Sequence, residues 1–437
     1  MRILVLGGGV TGLFSGHELA KAGHEVVVVE KDDRVGGLAA GFPVGEATLE
    51  KFYHHFFGGH TALFTLLEEL GLSSDLVWHR ARMGFFYDGR LYPFETPWDL
   101  LRFSPLPLMS RVRLGASSLL MKRISDYRTI EGESALSFLR RYTGEPACEI
   151  IWRPLLKMKF GEESDRISAA WIWNRITDRR KSAKGAQGER LGYLRGGLQK
   201  ISDAAARSIQ SRGGAVRLNT AVSRLLIDDG ACSGAALAGG EEIRADAVLC
   251  TLPNRALTAL APGLPADYAA AISGISYQGS LCCILSLRQP LSEYYWINVA
   301  SRGMPFVAVI EHTNFMPASD YGGAHLVYLG KYLANDDPLF KESEESIAKR
   351  FSADLVKMFP RFDPAKDVER FWVFRAPFTQ PVFTVNYSRV MPGVKTPVRG
   401  LFLANTTQIY PESRALNSSV LLARRAASAI LEPPPRP

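Results

Sequence analysis

The chain has 437 residues, which favours two or three folding units, each with its own core. Its 46% hydrophobic and 22% charged residues are those of an ordinary globular protein, and no stretch approaches the roughly 20 uninterrupted apolar residues of a membrane span. The net charge of +8 (52 basic minus 44 acidic residues) favours an anionic partner without choosing among a cofactor, a phosphorylated substrate and a lipid surface. We expect no nucleic-acid partner.

The start of the chain and its cysteines bear on the compartment. The first predicted strand starts at Ile3, so we expect no secretory signal and a cytoplasmic protein. The cysteines are odd in number and show no C-x-x-C spacing, so we expect them to be reduced and structural. Neighbouring strand residues point to opposite faces, which argues against a disulfide between Cys282 and Cys283. The five cysteines are Cys148, Cys232, Cys250, Cys282 and Cys283.

The first residues read as a strand followed by a phosphate-binding turn. An apolar run at residues 3–6 leads into Gly7, Gly9 and Gly12, and a helix is predicted over residues 13–22. Gly7 permits a tight turn and Gly9 lets the backbone approach a phosphate, while Gly12 allows close packing of the helix on the strand. This spacing predicts that the pyrophosphate of a dinucleotide lies at the helix N-terminus.

The residues around that turn complete the pattern. Val10 and Thr11 stand at the start of the predicted helix, Gly23 ends it, and the next strand, residues 26–29, ends at Glu30. A carboxylate at this point accepts hydrogen bonds from ribose hydroxyls. Because strand, turn, helix, second strand and acid occur in order, the sequence favours dinucleotide binding over a purely structural glycine turn.

The residues after Glu30 indicate which dinucleotide is bound. The run from Lys31 through Arg34 to Gly36, Gly37 and Leu38 resembles the extended fingerprint of the FAD-binding amine oxidase superfamily. The resemblance implies that Glu30 binds the adenosine ribose and Arg34 a phosphate, while the Gly-Gly backbone passes beside the flavin. The resemblance also implies that Lys31 and Leu38 contact the cofactor. A solvated charged loop with a flexible Gly-Gly turn is the alternative.

The nucleotide-binding pattern breaks off after this opening segment and resumes near Leu191. A helix is predicted through Ile209, and strands are predicted over residues 215–218, 221–227 and 245–251. In the superfamily a strand of this kind places a backbone valine against the adenine. The resemblance assigns this contact to Val222, with a plain sheet residue as the alternative.

The C-terminal segment resembles the closing motif of the same superfamily. There, a strand such as residues 400–404 ends in a small polar turn at the ribityl chain, and a helix N-terminus faces the flavin pyrimidine. The resemblance gives Thr406, Ser419 and Val420 as cofactor contacts. Two departures stand out: the turn reads Asn-Thr instead of Gly-Asp or Gly-Thr, and serines replace the Gly-Ala pair before Val420. No cysteine lies in this region, so we expect FAD to be bound non-covalently.

These segments predict an α/β fold with a discontinuous Rossmann-like domain. The resemblance implies an FAD-binding domain of the amine oxidase type, formed by residues 1–50, 191–270 and 376–437. An α+β substrate-binding domain would take up residues 51–190 and 271–375. The proline-rich tail that follows residue 432 is expected to be disordered.

A histidine-rich aromatic run follows the Gly-Gly pair and should lie near the flavin. It includes Tyr53, His54, His55 and His60, and its histidines could bind a substrate anion or shuttle a proton. A packed aromatic loop is the alternative. We expect no metal site, because no cysteine or acid stands at ligand spacing.

Basic and tryptophan residues alternate in a later run, from Trp152 and Arg153 to Lys157, and again over residues 171–175. This pattern is typical of a pocket that holds a phosphate or a ring, or of a solvated helix. The catalytic candidates of the whole chain are His54, His55, Lys157 and Tyr410. The substrate-binding candidates are Tyr53, His54, Trp152, Arg153 and Arg414.

Two further basic segments have more than one interpretation. Residues 175–195 carry seven basic residues and form either a mobile loop over the site or a charged surface linker. Residues 97–125 mix apolar and basic residues. They form either a membrane-facing helical part, as in the corresponding region of protoporphyrinogen oxidases, or a buried helical pair.

The resemblance implies an FAD-dependent oxidoreductase that removes a hydride from a C–N or C–C bond of a small-molecule substrate, such as an amine, a porphyrinogen, a polyene or a lipid-linked compound. The alternative is a flavoenzyme like UDP-galactopyranose mutase, which acts on a nucleotide sugar without net redox. The substrate, which we expect to be anionic or lipid-linked, and the electron acceptor stay open. Peripheral contact with the inner face of the membrane is a further expectation.

Overall fold

A computed structural model describes residues 1–182, 189–301 and 303–432. Part of the basic segment, with Lys184, Gly185 and Gly188, lies outside the described residues, as does the proline-rich tail with its predicted disorder. The strands are β1 (Arg2–Leu6), β2 (Glu25–Val29), β3 (Gly41–Val44), β4 (Ala47–Glu50), β5 (Leu76–Arg80), β6 (Met83–Tyr87), β7 (Arg90–Pro93), β8 (Arg190–Leu194), β9 (Ala215–Arg217), β10 (Val222–Asp228), β11 (Ala231–Leu237), β12 (Glu242–Arg244), β13 (Ala247–Cys250), β14 (Tyr277–Leu287), β15 (Trp296–Val299), β16 (Ala308–Glu311), β17 (His325–Ala334), β18 (Val368–Pro381) and β19 (Leu401–Leu403).

The helices alternate with these strands in the manner of an α/β protein, which confirms the predicted fold class. A π-helical segment, Cys148–Trp152, joins α6 to α7. The helices are α1 (Val10–Lys21), α2 (Thr61–Glu69), α3 (Pro97–Arg102), α4 (Leu108–Met121), α5 (Ala135–Thr143), α6 (Glu145–Ala147), α7 (Arg153–Phe160), α8 (Ala169–Ser182), α9 (Gln199–Gln210), α10 (Asn254–Leu260), α11 (Ala266–Ser273), α12 (Glu344–Leu355), α13 (Pro364–Asp367) and α14 (Leu416–Leu431).

The first sheet is parallel and has the order β19-β13-β1-β2-β9. Its strands come from three separate stretches of the chain, and its central strand β1 is buried on both faces. Ile3 and Val5 pack into one core with α1 and α14, while Leu4 and Leu6 pack into another. Continuous apolar strands such as β1 and β2 form because each face of a parallel sheet is covered. The carboxyl ends of β1, β2 and β13 therefore open on one edge.

The second large sheet has seven strands in the order β18-β14-β17-β16-β15-β6-β7 and is antiparallel except for the β15–β6 pair. The eleven residues of β14 are all buried. Cys282 faces the core shared with the parallel sheet, and Cys283 faces the core under α12. All five cysteines are free and buried, as predicted.

Glu50, the last residue of β4, links β4 to β8 and to β17 of the seven-stranded sheet. Its carboxylate accepts hydrogen bonds from Tyr193 Oη (2.5 Å) and from the Leu198 backbone N–H (2.6 Å). Its backbone carbonyl accepts one from Tyr328 Oη (2.9 Å) on β17. The loop at residues 51–60 starts here, so these contacts fix the point at which it leaves the sheet.

The pair α3 and α4 packs through Phe103, Leu106 and Met121 but leaves other apolar side chains in solvent. Trp98 is 66% exposed and Met109 is 78% exposed, so the predicted buried pair is not what forms. No helix in the described part of the chain is both long and apolar enough to cross a membrane.

Candidate active site

The glycine-rich turn between β1 and α1 has the geometry of a phosphate-binding turn. Gly7 adopts a φ of +104°, which L side chains rarely reach. A Cβ on Gly12 would lie 2.1 Å from the Gly7 carbonyl oxygen, so only glycine fits there. Helix α1 has Gly9 at its N-cap and, among the described residues, no side-chain cap. Its first N–H groups, from Val10 onward, are therefore available to an anion.

Glu30 lies beside this turn and shapes it. Its Oε2 accepts a hydrogen bond from the Gly8 N–H (2.7 Å), and its Oε1 accepts one from the Asp32 N–H (3.0 Å). The Gly36 N–H donates to the Gly8 carbonyl (2.8 Å), which holds the Gly-Gly segment against the turn. Gly37 and Leu38 begin a short 3-10 turn there. These residues form a cradle made mostly of backbone, and they fit a dinucleotide.

The other predicted cofactor residues differ in their burial and in their contacts. The Arg34 guanidinium donates to the Gly41 carbonyl (2.8 Å), and Lys31 is exposed. Val222 begins β10 and packs at the edge of the core that contains Leu4 and Leu6. Thr11 is largely buried in the first turn of α1.

The C-terminal turn is held against the end of β13. Asn405 Nδ2 donates to the Leu252 carbonyl (2.8 Å), and Asn405 Oδ1 accepts from the Thr407 N–H (3.0 Å). Thr406 is half-buried between them. Ser419 and Val420 are buried on α14, and Ser419 Oγ donates to the Ala415 carbonyl (3.4 Å).

A cavity of about 480 Å³ lies at the N-terminus of α14. Its walls come from separate segments of the chain: the loop after β4, helices α7 and α8, strands of the seven-stranded sheet, and the segment before α14. The polar and aromatic side chains that give the cavity its chemistry include Tyr53, His54, His55, Trp152, Lys159, Trp171, Asn174, Arg175, Asp178, Tyr332, Glu412, Arg414 and Ser418.

Three of these side chains are cations around one phenol. Lys159 Nζ lies 4.0 Å from the centroid of the Tyr332 ring, and Arg175 stacks near Trp171 at 5.8 Å. Arg414 donates to the Thr379 carbonyl, which holds its guanidinium in the wall. Burial lowers the pKa of Lys159 to about 8, with Arg175 and Arg414 adding to this effect and Tyr332 opposing it.

The same cations act on the phenol. Burial alone would raise the pKa of Tyr332, but Lys159, Arg414 and Arg175 together lower it to about 7. The neighbouring cations therefore favour the ionised form of the Tyr332 phenol. Such a group can accept or return a proton at the pH where an enzyme works.

The histidine loop forms the wall opposite these cations. His54 Nδ1 lies 2.6 Å from the Phe52 carbonyl, so Nδ1 carries the proton and Nε2 is the acceptor. Burial, with a contribution from Arg414, lowers the pKa of His54 to about 4, so the ring is neutral at pH 7. His55 Nδ1 lies 3.1 Å from Tyr295 Oη. Tyr53 packs edge-on against Trp296, with ring centroids 5.0 Å apart.

Three predicted residues lie outside the cavity wall. Lys157 is exposed and its Nζ lies 2.8 Å from Glu162, while Arg153 Nε donates to Glu149 (2.8 Å). Tyr410 is buried elsewhere, with its Oη 2.8 Å from Ser168 Oγ.

The cavity residues that were not among the predicted candidates include Lys159, Asn174, Arg175 and Tyr332. The first three stand inside the runs of alternating basic and tryptophan residues, so the sequence indicated these segments but not which of their side chains face the cavity. Tyr332 lies in β17 and carries no motif.

The arrangement resembles known proteins in sequence and in fold. A 15-cis-phytoene desaturase of Glycine max is 23% identical, with 99% of this chain and 80% of that protein aligned. The putative protoporphyrinogen oxidase from Exiguobacterium sp. 255-15 superposes with a TM-score of 0.78 at 19% identity, covering 98% of each chain. Reduced UDP-galactopyranose mutase superposes with a TM-score of 0.77 at 16% identity, covering 98% of this chain and 95% of that one.

The family match is broader than any one of these likenesses. The sequence model of the flavin containing amine oxidoreductases matches residues 10–431, which include α1, Glu30, the closing segment and the residues that line the cavity. This chain therefore belongs to the family of flavin containing amine oxidoreductases.

Proposed function

We propose that the protein is an FAD-dependent oxidoreductase that removes a hydride from a C–N or C–C bond of a substrate held in the cavity, with FAD bound non-covalently. One observation carries this proposal. The cavity is walled both by the segment before α14, a helix that packs against α1, and by side chains from α7, α8 and β17. A substrate there would lie next to the flavin end of a dinucleotide whose pyrophosphate occupies the N-terminus of α1.

The protein's own residues would position the substrate and move a proton. When bound, FAD supplies the hydride acceptor. His54 offers a neutral Nε2 as a hydrogen-bond acceptor, and its low pKa suits orientation better than proton storage. Tyr332, whose pKa is lowered to about 7, is suited to take the proton that leaves the substrate together with the hydride.

Anaerobic reduction tests the proposal. The FAD-loaded protein is mixed with amines, amino acids, porphyrinogens and polyenes in turn. The loss of the visible absorbance of oxidised flavin is then followed. We expect one class to bleach the flavin. A protein that binds FAD but is reduced by none of these classes contradicts the proposal.

The cations of the cavity favour a second candidate, a non-redox change in a nucleotide sugar. Lys159, Arg175 and Arg414 would suit a pyrophosphate, and the fold of reduced UDP-galactopyranose mutase is similar. Chromatography of UDP-galactopyranose before and after incubation with the dithionite-reduced protein tests this candidate, with the oxidised protein as control. Conversion by the reduced form alone would support it, and no conversion would remove it.

We also propose that the α3–α4 face touches the membrane from the cytoplasmic side. Apolar side chains such as Trp98 and Met109 stand in solvent here, and Arg102, Lys122 and Arg123 are exposed among them. A surface of this composition lies well in an anionic lipid interface.

Sedimentation with vesicles tests the contact. Wild type should sediment with phosphatidylglycerol vesicles at low salt and much less with phosphatidylcholine vesicles. Met109→Glu should reduce sedimentation, while Leu218→Glu, an exposed apolar position that follows β9 in the parallel sheet, should not. Equal sedimentation of wild type and Met109→Glu contradicts the proposal.

A further inference from the structure

His54 presents a free hydrogen-bond acceptor to the inner cavity, the space of about 480 Å³ at the N-terminus of α14. Its Nδ1 lies 2.6 Å from the Phe52 carbonyl oxygen, which places the ring proton on Nδ1 and leaves the lone pair on Nε2. Within the described residues, Nε2 makes no hydrogen bond, and it is not among the buried side-chain atoms that lack a partner. Because the half-buried His54 lines the cavity, a ligand there can reach Nε2.

The size of the inner cavity and the side chains around His54 favour a compact, flat ligand. Tyr53, Phe57, Trp152 and Tyr332 line the same cavity, and each is only half-buried. Aromatic side chains of this kind pack well against another ring, either stacked or edge to face. The volume of about 480 Å³ is in the lower half of the range of about 300–1,000 Å³ that ligand pockets cover. The cavity therefore suits a small ring better than a long hydrocarbon chain.

We propose that the substrate is a compact ring compound that carries an N–H or O–H group, and that His54 Nε2 accepts a hydrogen bond from this group. His54 is then a specificity-determining residue, because it holds the donor at one fixed point of the wall. A ligand without a donor would cover Nε2 and leave the acceptor unpaired, which costs binding energy. Polyenes have no such donor and are excluded. This inference rests on the proposed function, because it names the substrate class for the same cavity.

Two other roles for His54 fit the structure less well. A residue that stores a proton at neutral pH needs a ring that charges near that pH, whereas burial, with a contribution from Arg414, lowers the pKa of His54 to about 4. A purely structural histidine pairs both of its ring nitrogens. His17 is an example, since its Nδ1 lies 2.8 Å from Ser208 Oγ and its Nε2 lies 3.2 Å from Glu69 Oε2. His54 pairs only Nδ1, so Nε2 is left for a ligand.

Titration calorimetry of the FAD-loaded protein tests the need for a donor with indole and indene as probes. The two probes have the same ring shape, but indene carries a methylene group where indole carries its N–H. Wild type should bind indole saturably at one site per chain and about threefold to tenfold more tightly than indene, which is the value of one hydrogen bond. An equal Kd for the two probes, or no saturable binding of indole, overturns the proposal.

Variants of His54 show whether this residue causes the preference. His54→Leu removes the acceptor, so indole should lose its advantage over indene. His54→Phe removes the acceptor but keeps an aromatic ring, and it replaces His54→Leu if that variant does not fold. His54→Gln offers an amide oxygen near the position of Nε2 and should restore part of the preference. His24→Leu removes an imidazole at the exposed contact with the Met1 amino group and should keep the wild-type preference. A preference that persists in His54→Leu overturns the assignment of His54.

FAD affinity and flavin reduction separate this inference from the proposed function. FAD should bind His54→Leu as tightly as wild type, and a loss of FAD affinity in the variant would show that His54 holds the cofactor instead, which overturns the inference. An indole preference that depends on His54 supports the inference even if no substrate class reduces the flavin, and in that case only the oxidoreductase proposal falls. Equal binding of indole and indene to wild type overturns the inference even if some substrate reduces the flavin.

Discussion

The cofactor cradle and the inner cavity both suit anions, but they are built from different materials. The cradle uses backbone N–H groups at the start of α1, glycines that leave room for them, and one carboxylate, Glu30. The inner cavity uses side chains that come from α7, α8 and the segment before α14. A site made of backbone is encoded in a continuous run of sequence, whereas a site made of side chains depends on how distant elements pack.

The largest effect should follow from filling the backbone cradle. In Gly12→Ala the new Cβ would lie 2.1 Å from the Gly7 carbonyl oxygen, so the turn and the α1 N-terminus must shift. We expect FAD affinity to fall by about a hundredfold or more, measured as flavin content and by titration of the stripped protein.

A matched glycine shows whether the loss is specific. Gly115→Ala lies in α4, where the new Cβ meets only a Leu100 methyl at 3.6 Å, and should keep full FAD content. If Gly12→Ala keeps FAD as wild type does, the cradle is not the pyrophosphate site.

A smaller effect is expected from the one side chain of the cradle. Glu30→Ala removes the acceptor of the Gly8 and Asp32 N–H groups as well as the predicted ribose contact. FAD affinity should fall about tenfold to a hundredfold, measured by fluorescence titration. Glu25→Ala removes a carboxylate from the exposed start of the same strand and should change little, since its ion pair with Arg2 lies at the surface. Equal FAD affinity in Glu30→Ala and Glu25→Ala contradicts the assignment of Glu30.

The two sites also differ in how far the sequence predicts them. The glycines and Glu30 act through local geometry, so their spacing alone predicts strand, turn, helix and cradle. Lys157 and Lys159 stand two positions apart on α7, which places their side chains about 200° apart around the helix axis. The sequence predicts a basic pocket helix but not which lysine faces the cavity.

Two other contacts of the cavity also depend on the tertiary structure. Trp152 ends the π-helical segment Cys148–Trp152 and lines the cavity, whereas the next residue, Arg153, pairs with Glu149. Tyr332 reaches the same place on a strand from a different part of the chain. Periodicity within one segment carries no information on either contact.

Raising the pH should weaken anion binding in the inner cavity about tenfold and leave FAD binding in the cradle nearly unchanged. As pH rises from 6.5 to 9, Lys159, with a pKa lowered to about 8, loses its positive charge. Burial raises the pKa of Tyr332 and the Lys159 ammonium lowers it, so the two groups titrate together and the pair loses net positive charge over this range. Both changes oppose an anion, so affinity is full at the acid end and falls through pH 7 to 8.

Sulfate suits this measurement because its own charge stays constant over the range. Its Kd should rise about tenfold or more between pH 6.5 and 9 in the FAD-loaded protein. FAD affinity should stay nearly flat, since backbone N–H groups such as that of Val10 do not titrate. A flat sulfate profile would show that Lys159 and Tyr332 do not face the anion.

The smallest effect concerns Glu50, which joins β4 to β8 and β17 through Tyr193 and Tyr328. Burial raises the pKa of its carboxyl to about 7, although the hydrogen bonds from Tyr193 and Leu198 lower it. The unfolded value is about 4.5, so the folded state binds the proton more tightly. The contribution of Glu50 to the free energy of unfolding is therefore full below pH 4.5. It decreases by up to about 3 kcal/mol as the pH rises through 7.

Glu50→Gln resembles the protonated acid at every pH and should abolish this loss. It should match wild type near pH 5 and unfold a few degrees higher at pH 8, because 1 kcal/mol moves Tm only slightly in a chain of this size. Glu162→Gln makes the same change on an exposed side chain and should behave as wild type at both pH values. If Glu50→Gln is instead less stable at pH 8, the ionised carboxylate is what Tyr193 and Leu198 hold. The link between β4, β8 and β17 then depends on a buried charge.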